Sequence, residues 1–134
     1  MKRSVLLFAV VALVATACSD SVEDATDAYC DDLSALSSAL GEVSTLNASS
    51  TVDDVQKVGD DISDAYDDVV SSAANVDGAV TSEIDSASSD FQSSVSSISS
   101  DSSVADALSD LQTAGQAYTT AVQNTLSQVN CSSS

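Results

Sequence analysis

The chain has no histidine, no proline and no tryptophan, and only three basic side chains among 134 residues. Each scarcity removes a class of function. Without histidine there is no ordinary general base near neutral pH and no imidazole for a metal. Three cations cannot neutralise a phosphate backbone, so nucleic acid is excluded as a partner. Five aromatic residues, none of them Trp, supply no stacking platform for a sugar. The longest apolar run, Val5 to Val14, falls short of the ~20 residues that a membrane span needs. Length allows one domain at most. What the chain does have is acid: 21 Asp and Glu give a formal net charge of −18. These features delimit the protein without naming an activity.

The first twenty residues distort that arithmetic. Met1-Lys2-Arg3 is followed by the apolar run and then by Ala15-Thr16-Ala17-Cys18. A basic start, a short apolar core and small residues before a cut make a secretory signal over residues 1–17. Ala15-Thr16-Ala17 fits ordinary signal peptidase. The same residues with Cys18 resemble a bacterial lipobox, although the position three before the cysteine, commonly Leu there, is Ala15. That resemblance implies lipidation of Cys18 as the new N-terminus. Cysteine parity favours it: of Cys18, Cys30 and Cys131, lipidation uses the odd one and leaves Cys30 and Cys131 to pair in an exported chain. The alternative is a secreted, untethered protein with Cys18 free or paired between molecules. Without the signal, Lys57 is the only basic side chain left, and the side-chain charge is about −20.

Behind a short polar tether (18–21, carrying the lipid), four apolar stripes step by three and four residues, as helix faces do. The first, within 22–40, is Val22, Ala25, Tyr29, Leu33, Leu36 and Leu40, with Gly41 as a stop and 42–50 as a loop. Thr51 with Asp54 resembles a capping box for the second. That stripe runs through Val55, Val58, Ile62, Ala65/Tyr66, Val69 and Ala73 to Val76, before a turn at Asp77-Gly78. The third is Val80, Ile84, Ala87, Phe91, Val95 and Ile98, diluted with serine, a poorer helix former. Ser103 is the expected N-cap of the fourth: Leu108, Leu111, Ala114/Gly115, Tyr118, Val122, Leu126 and Val129. Short connections predict an all-α, up-down-up-down four-helix bundle over 22–131, with 132–134 a disordered tail. In that topology the start of the first helix lies near the end of the fourth, where Cys30 and Cys131 stand.

Candidate chemistry is sparse. Asp60, Asp64, Asp67 and Asp68 share one side of the second helix and are the candidate ligands for a hard cation. They lack the alternating-Asp and glycine pattern of an EF-hand, and their mutual repulsion points to a solvated face. Asp24, Asp27, Asp31 and Asp32 read the same way. Cys30 and Cys131 have no Cys-x-x-Cys spacing for metal or redox work. Lys57 is placed for a surface ion pair among Asp53, Asp54, Asp60 and Asp61. Asn47 and Asn130 head matches to the N-glycosylation pattern, which mean little in a bacterial lipoprotein, and Ser86 to Ser103 is rich enough in serine for O-glycosylation.

The cysteine after the signal, the segment Ala28-Tyr29-Cys30-Asp31-Asp32-Leu33 and the near-terminal Cys131 resemble small helical lipoproteins common in actinobacterial genomes. The resemblance covers most of residues 18–134, and this chain departs from it in being poorer in Ala and Leu and richer in Ser and Asp. It implies an envelope location and no known activity. The expectation is a non-enzymatic envelope lipoprotein without a cofactor. It would be held to the membrane by its lipid anchor, and its acidic surface suits a cationic envelope protein or ligand. The rival is an extracytoplasmic binding protein for cations or small cationic ligands.

Overall fold

The structure, a computed structural model, describes residues 6–76, 78–79, 81–98 and 104–131, with side chains described from residue 23 onward. It is all-helical: α1 (Leu6–Gly41), α2 (Val52–Ala73), α3 (Ser82–Ser97) and α4 (Val104–Val129), with a 3-10 turn at Glu42–Thr45. No strand occurs among the described residues. α1 packs on α2 and α4, and α3 on α4 and α2, so the four helices form the expected bundle.

α1 starts at Leu6 rather than near Val22, and residues 18–21, expected as a tether, continue the helix. No glycine or proline stands between Leu6 and Ala39, so nothing interrupts the helix where composition changes from apolar to acidic. Its inward face is Tyr29, Leu33, Leu36 and Leu40, each no more than 3% exposed. Gly41 ends the helix but keeps right-handed helical angles, and the chain tightens directly into the 3-10 turn. The segment expected as a plain loop therefore adds to the core: Val43 and Leu46 are both buried. α4 comes close at this point. A Cβ on Gly115 would stand 3.1 Å from Val43 Cγ1, a contact tight enough that Val43 would have to give way, so glycine suits this close approach of the turn to α4.

Thr51 starts α2 with the full capping box. The Asp54 N–H donates to Thr51 Oγ1 at 3.2 Å, and the Thr51 N–H donates to Asp54 Oδ2 at 2.9 Å. The bond from the Thr51 N–H, followed by the Thr51 hydroxyl beside it, favours the ionised form and holds the Asp54 carboxyl below the usual carboxylate range. Val55, Val58, Ile62 and Val69 face inward. The helix ends at Ala73, earlier than its stripe, and Val76 packs against the core from the turn that follows. Gly78, in the expected turn, has a φ of 79°. Asp77 and Val80 lie outside the described residues.

The serine-diluted α3 is a helix of 16 residues. Two of its hydroxyls, Ser93 and Ser94, donate to the carbonyls four residues back, which satisfies them without leaving the helix. Ile84 and Phe91 anchor it, and Ile98 is buried just past its end. α4 begins at Val104, itself buried, and its inward face runs through Leu111, Tyr118 and Val122. The expected break and cap at Asp101-Ser102-Ser103 and the tail 132–134 lie outside the described residues. Asn130, with a φ of 56°, ends the helix in the left-handed region that Asn tolerates better than most residues.

Candidate functional site

Three regions carry the chain's polar chemistry: the base of the bundle, the acidic faces and the interior beside α3. At the base, Cys30 and Cys131 are joined by a disulfide with Cα atoms 5.6 Å apart, across 101 positions of sequence. Tyr29 and Leu33 flank Cys30 in the core, and the turn at Asn130 brings Cys131 back to meet α1. The Cys131 N–H donates to the Leu126 carbonyl at 3.2 Å, which fixes the returning chain. Below the clasp α1 continues: Glu23, Asp24, Asp27 and Ala28 are exposed, and Ala25 and Thr26 half-buried. The Cys18 side chain, the expected lipid attachment point, lies outside the described residues. From Cys18 to Cys30 the helix covers about 18 Å at 1.5 Å per residue.

Asp60, Asp64, Asp67 and Asp68 are all exposed on α2. Among the described residues, no group of three or more potential ligands is gathered tightly enough to hold a metal ion. Asp24, Asp27 and Asp31 are likewise exposed, but Asp32 departs from the solvated reading. It is half-buried and accepts a hydrogen bond from the Ser72 hydroxyl, tying α1 to α2. Lys57 selects one of its four expected partners, Asp61, with Nζ to Oδ2 at 2.9 Å. The ammonium gains from that bond, so its pKa is raised, but the Lys57 side chain is 75% exposed and the pair adds little to stability.

Of the four aromatic residues after Phe8, Tyr29, Phe91 and Tyr118 are buried as their stripes require. Tyr66 is only half-buried, and its hydroxyl donates to Asp85 Oδ1 at 2.7 Å, joining α2 to α3. Asp85 also accepts from Thr81 Oγ1 at 3.2 Å. Two further polar groups escaped the apolar stripes. Ser88 is 4% and Thr125 2% exposed. Thr125 is satisfied by the Ala121 carbonyl at 3.0 Å. Ser88 accepts from Gln92 Nε2 at 3.4 Å.

Asp85, itself exposed, acts on all three tyrosines. Its hydrogen bond, with burial behind it, pushes the Tyr66 phenol up to about 12. Burial chiefly pushes Tyr118 up to about 12, opposed by Ser88 and assisted by Asp85. Burial, then the Asp85 charge, also raises Tyr29. These phenols hold their protons more tightly folded than unfolded, so the folded state loses stability as pH rises from about 10, where unfolded tyrosine ionises, through about 12. Ultraviolet titration of the native protein is expected to show tyrosinate appearing late, together with unfolding. Free titration of all three tyrosines at their ordinary value in a protein still helical would contradict this geometry.

Two open cavities flank the helices. One of about 300 Å³ lies between the end of α1 and α4, bordered by Leu40, Ser44, Gln112, Gln116 and Thr119. Its lining contains no carboxylate. The other, about 210 Å³, is a groove between α2 and α3 bordered by Asp60, Ser63, Phe91, Gln92 and Val95. Neither gathers the paired carboxylates that acid–base hydrolysis uses. Among the described residues, no helix is long and apolar enough to cross a membrane. Comparison with family models, with curated proteins and with solved structures finds no match to this chain.

Proposed function

We propose that the chain is an exported, lipid-anchored helical bundle of the bacterial cell envelope. In this reading Cys18 carries the acyl anchor, and residues 22–131 act as a non-enzymatic interaction or structural module. The observation that carries the reading is the use of the cysteines. With Cys30 and Cys131 bonded to each other, Cys18 is the one left over, directly after the small residues Ala15-Thr16-Ala17. A structural disulfide also suits an oxidising, extracytoplasmic compartment. Acyl chains rather than basic side chains would do the anchoring, because the domain's charge repels anionic headgroups. The α1 segment below the clasp would then hold the bundle off the membrane. The same charge favours a cationic partner in the envelope.

The test is the native N-terminus. Mass spectrometry of protein from the producing cell should show Cys18 as the first residue with acyl mass added. A Cys18→Ala variant should move from the membrane fraction to the medium. An unmodified N-terminus in wild-type protein, recovered from the medium, would replace the tethered reading with a secreted one. Crosslinking in cells would then identify the partner of either form.

A further inference from the structure

α2 and α3 are neighbours, but they pack on each other less extensively than α1 does on α2 or α3 on α4. The space left between them is the groove of about 210 Å³. Its apolar part is Phe91 and Val95 of α3, facing Gly59 of α2. A Cβ at Gly59 would stand 3.1 Å from Val95 Cγ1, so the missing side chain lets α3 lay an aliphatic group against the α2 backbone. The polar part is Asp60 and Ser63 of α2 and Ser96 of α3, with Gln92 at the rim turned towards Ser88.

The three acceptors of this groove are unengaged. Lys57 is the sole basic side chain after Arg3, and it binds Asp61 rather than Asp60. Among the described residues Asp60 has no ion pair, and the hydroxyls of Ser63 and Ser96 make no hydrogen bond. Ser93 and Ser94, on the same helix as Ser96, are instead held by carbonyls one turn back.

A carboxylate and two hydroxyls beside an apolar strip match one kind of group. A primary ammonium has three donors and no acceptor. An aliphatic stem behind it lies along apolar surface while the charged head stays near water. An anion is repelled by Asp60 and by the formal charge of −18. A guanidinium brings five donors in a plane, more than this lining answers. A diamine leaves its second ammonium without a partner, because Asp60 is the only carboxylate of the lining.

We propose that the groove takes a lysine side chain of a partner protein. Its ammonium sits at Asp60, Ser63 and Ser96, and its stem lies on Phe91 and Val95. This rests on the reading of the bundle as an interaction module, and it gives the cationic partner a docking point.

Amide chemical shifts of the oxidised protein, titrated with Nα-acetyl-lysine methylamide at constant ionic strength, test this. Nα-acetyl-norleucine methylamide supplies the stem without the charge, and cadaverine supplies two charges without a backbone. The expected result is saturable shifts confined to residues 59–63 and 91–96. Asp60→Asn should weaken binding about fivefold. Ser96→Leu, which fills the groove from its exposed rim, should abolish it. Asp24→Asn, near the start of α1, removes the same charge and should change binding less than about twofold. The proposal is overturned if the shifts spread over the acidic faces of α1 and α2, or if the norleucine compound moves the same residues equally. Equal weakening by Asp60→Asn and Asp24→Asn would also overturn it. Cadaverine binding these residues more than about tenfold more tightly than the lysine compound would replace the protein side chain with a free diamine. No membrane or anchor enters the experiment, so its outcome is independent of whether Cys18 is acylated.

Discussion

Reducing the Cys30–Cys131 disulfide is expected to lower the melting temperature by roughly 15 °C. The bond closes a loop across 101 positions, and the chain-entropy model assigns ~4.7 kcal/mol to a loop of about that size. A domain this small has a net stability of only about 5–15 kcal/mol, so one crosslink is a large share of it. The core makes the dependence stronger. Much of the apolar face is valine, at Val43, Val55, Val58, Val69 and Val122, where leucine would bury more surface. Thermal denaturation with and without reductant checks the magnitude. The double variant Cys30→Ala/Cys131→Ala is the companion experiment, because a single variant leaves its former partner as a free thiol. Oxidised and reduced protein melting together would show that the core, not the clasp, carries the stability.

Phe91→Ala is expected to cost about 3–5 kcal/mol, concentrated in α3. Phe91 is 1% exposed, and its ring centroid lies 6.1 Å from that of Tyr118, tilted by 53°. Within α3 it shares the anchoring with Ile84, while serine fills much of the remaining length. Serine helices gain little from propensity, so α3 persists because its apolar face is docked. Removing the largest docking side chain should release the helix before the α1–α2 pair loosens. Amide hydrogen exchange would reveal this as early loss of protection in residues 82–97. A uniform loss of less than about 1 kcal/mol across all four helices would mean that α3 is held by something other than Phe91.

The helices were legible because their inward faces follow the 3.6-residue repeat closely. Leu33, Leu36, Ile62, Ile84 and Leu111 fall on their stripes and in the core. The repeat is silent about residues outside helices, so Val43 and Leu46 looked like loop and proved to be core. It is equally silent about boundaries: the change from apolar to acidic composition near Cys18 suggested an edge, yet no residue there has the backbone chemistry to make one. The polar links between helices were hidden for a different reason. Spacing along one helix cannot show which hydroxyl meets which carboxylate across two, and the Tyr66–Asp85 and Ser72–Asp32 links each join separate helices. Ser88 and Thr125 also carry small hydroxyls that read as surface until neighbours enclose them. The base was legible because parity and topology both pointed to Cys30 and Cys131.

The clasp has a mechanical consequence. A pull applied between Cys18 and the C-terminus runs along twelve residues of α1, crosses the sulfur bridge and leaves through Cys131. The loop that contains the rest of the bundle is outside the load path. Under tension the segment from Cys18 to Cys30 can stretch from about 18 Å as helix to roughly 41 Å when extended, and there the covalent link stops it. Were the chain held at Cys18, this segment would yield under tension while the sulfur bridge keeps the rest of the bundle out of the load path.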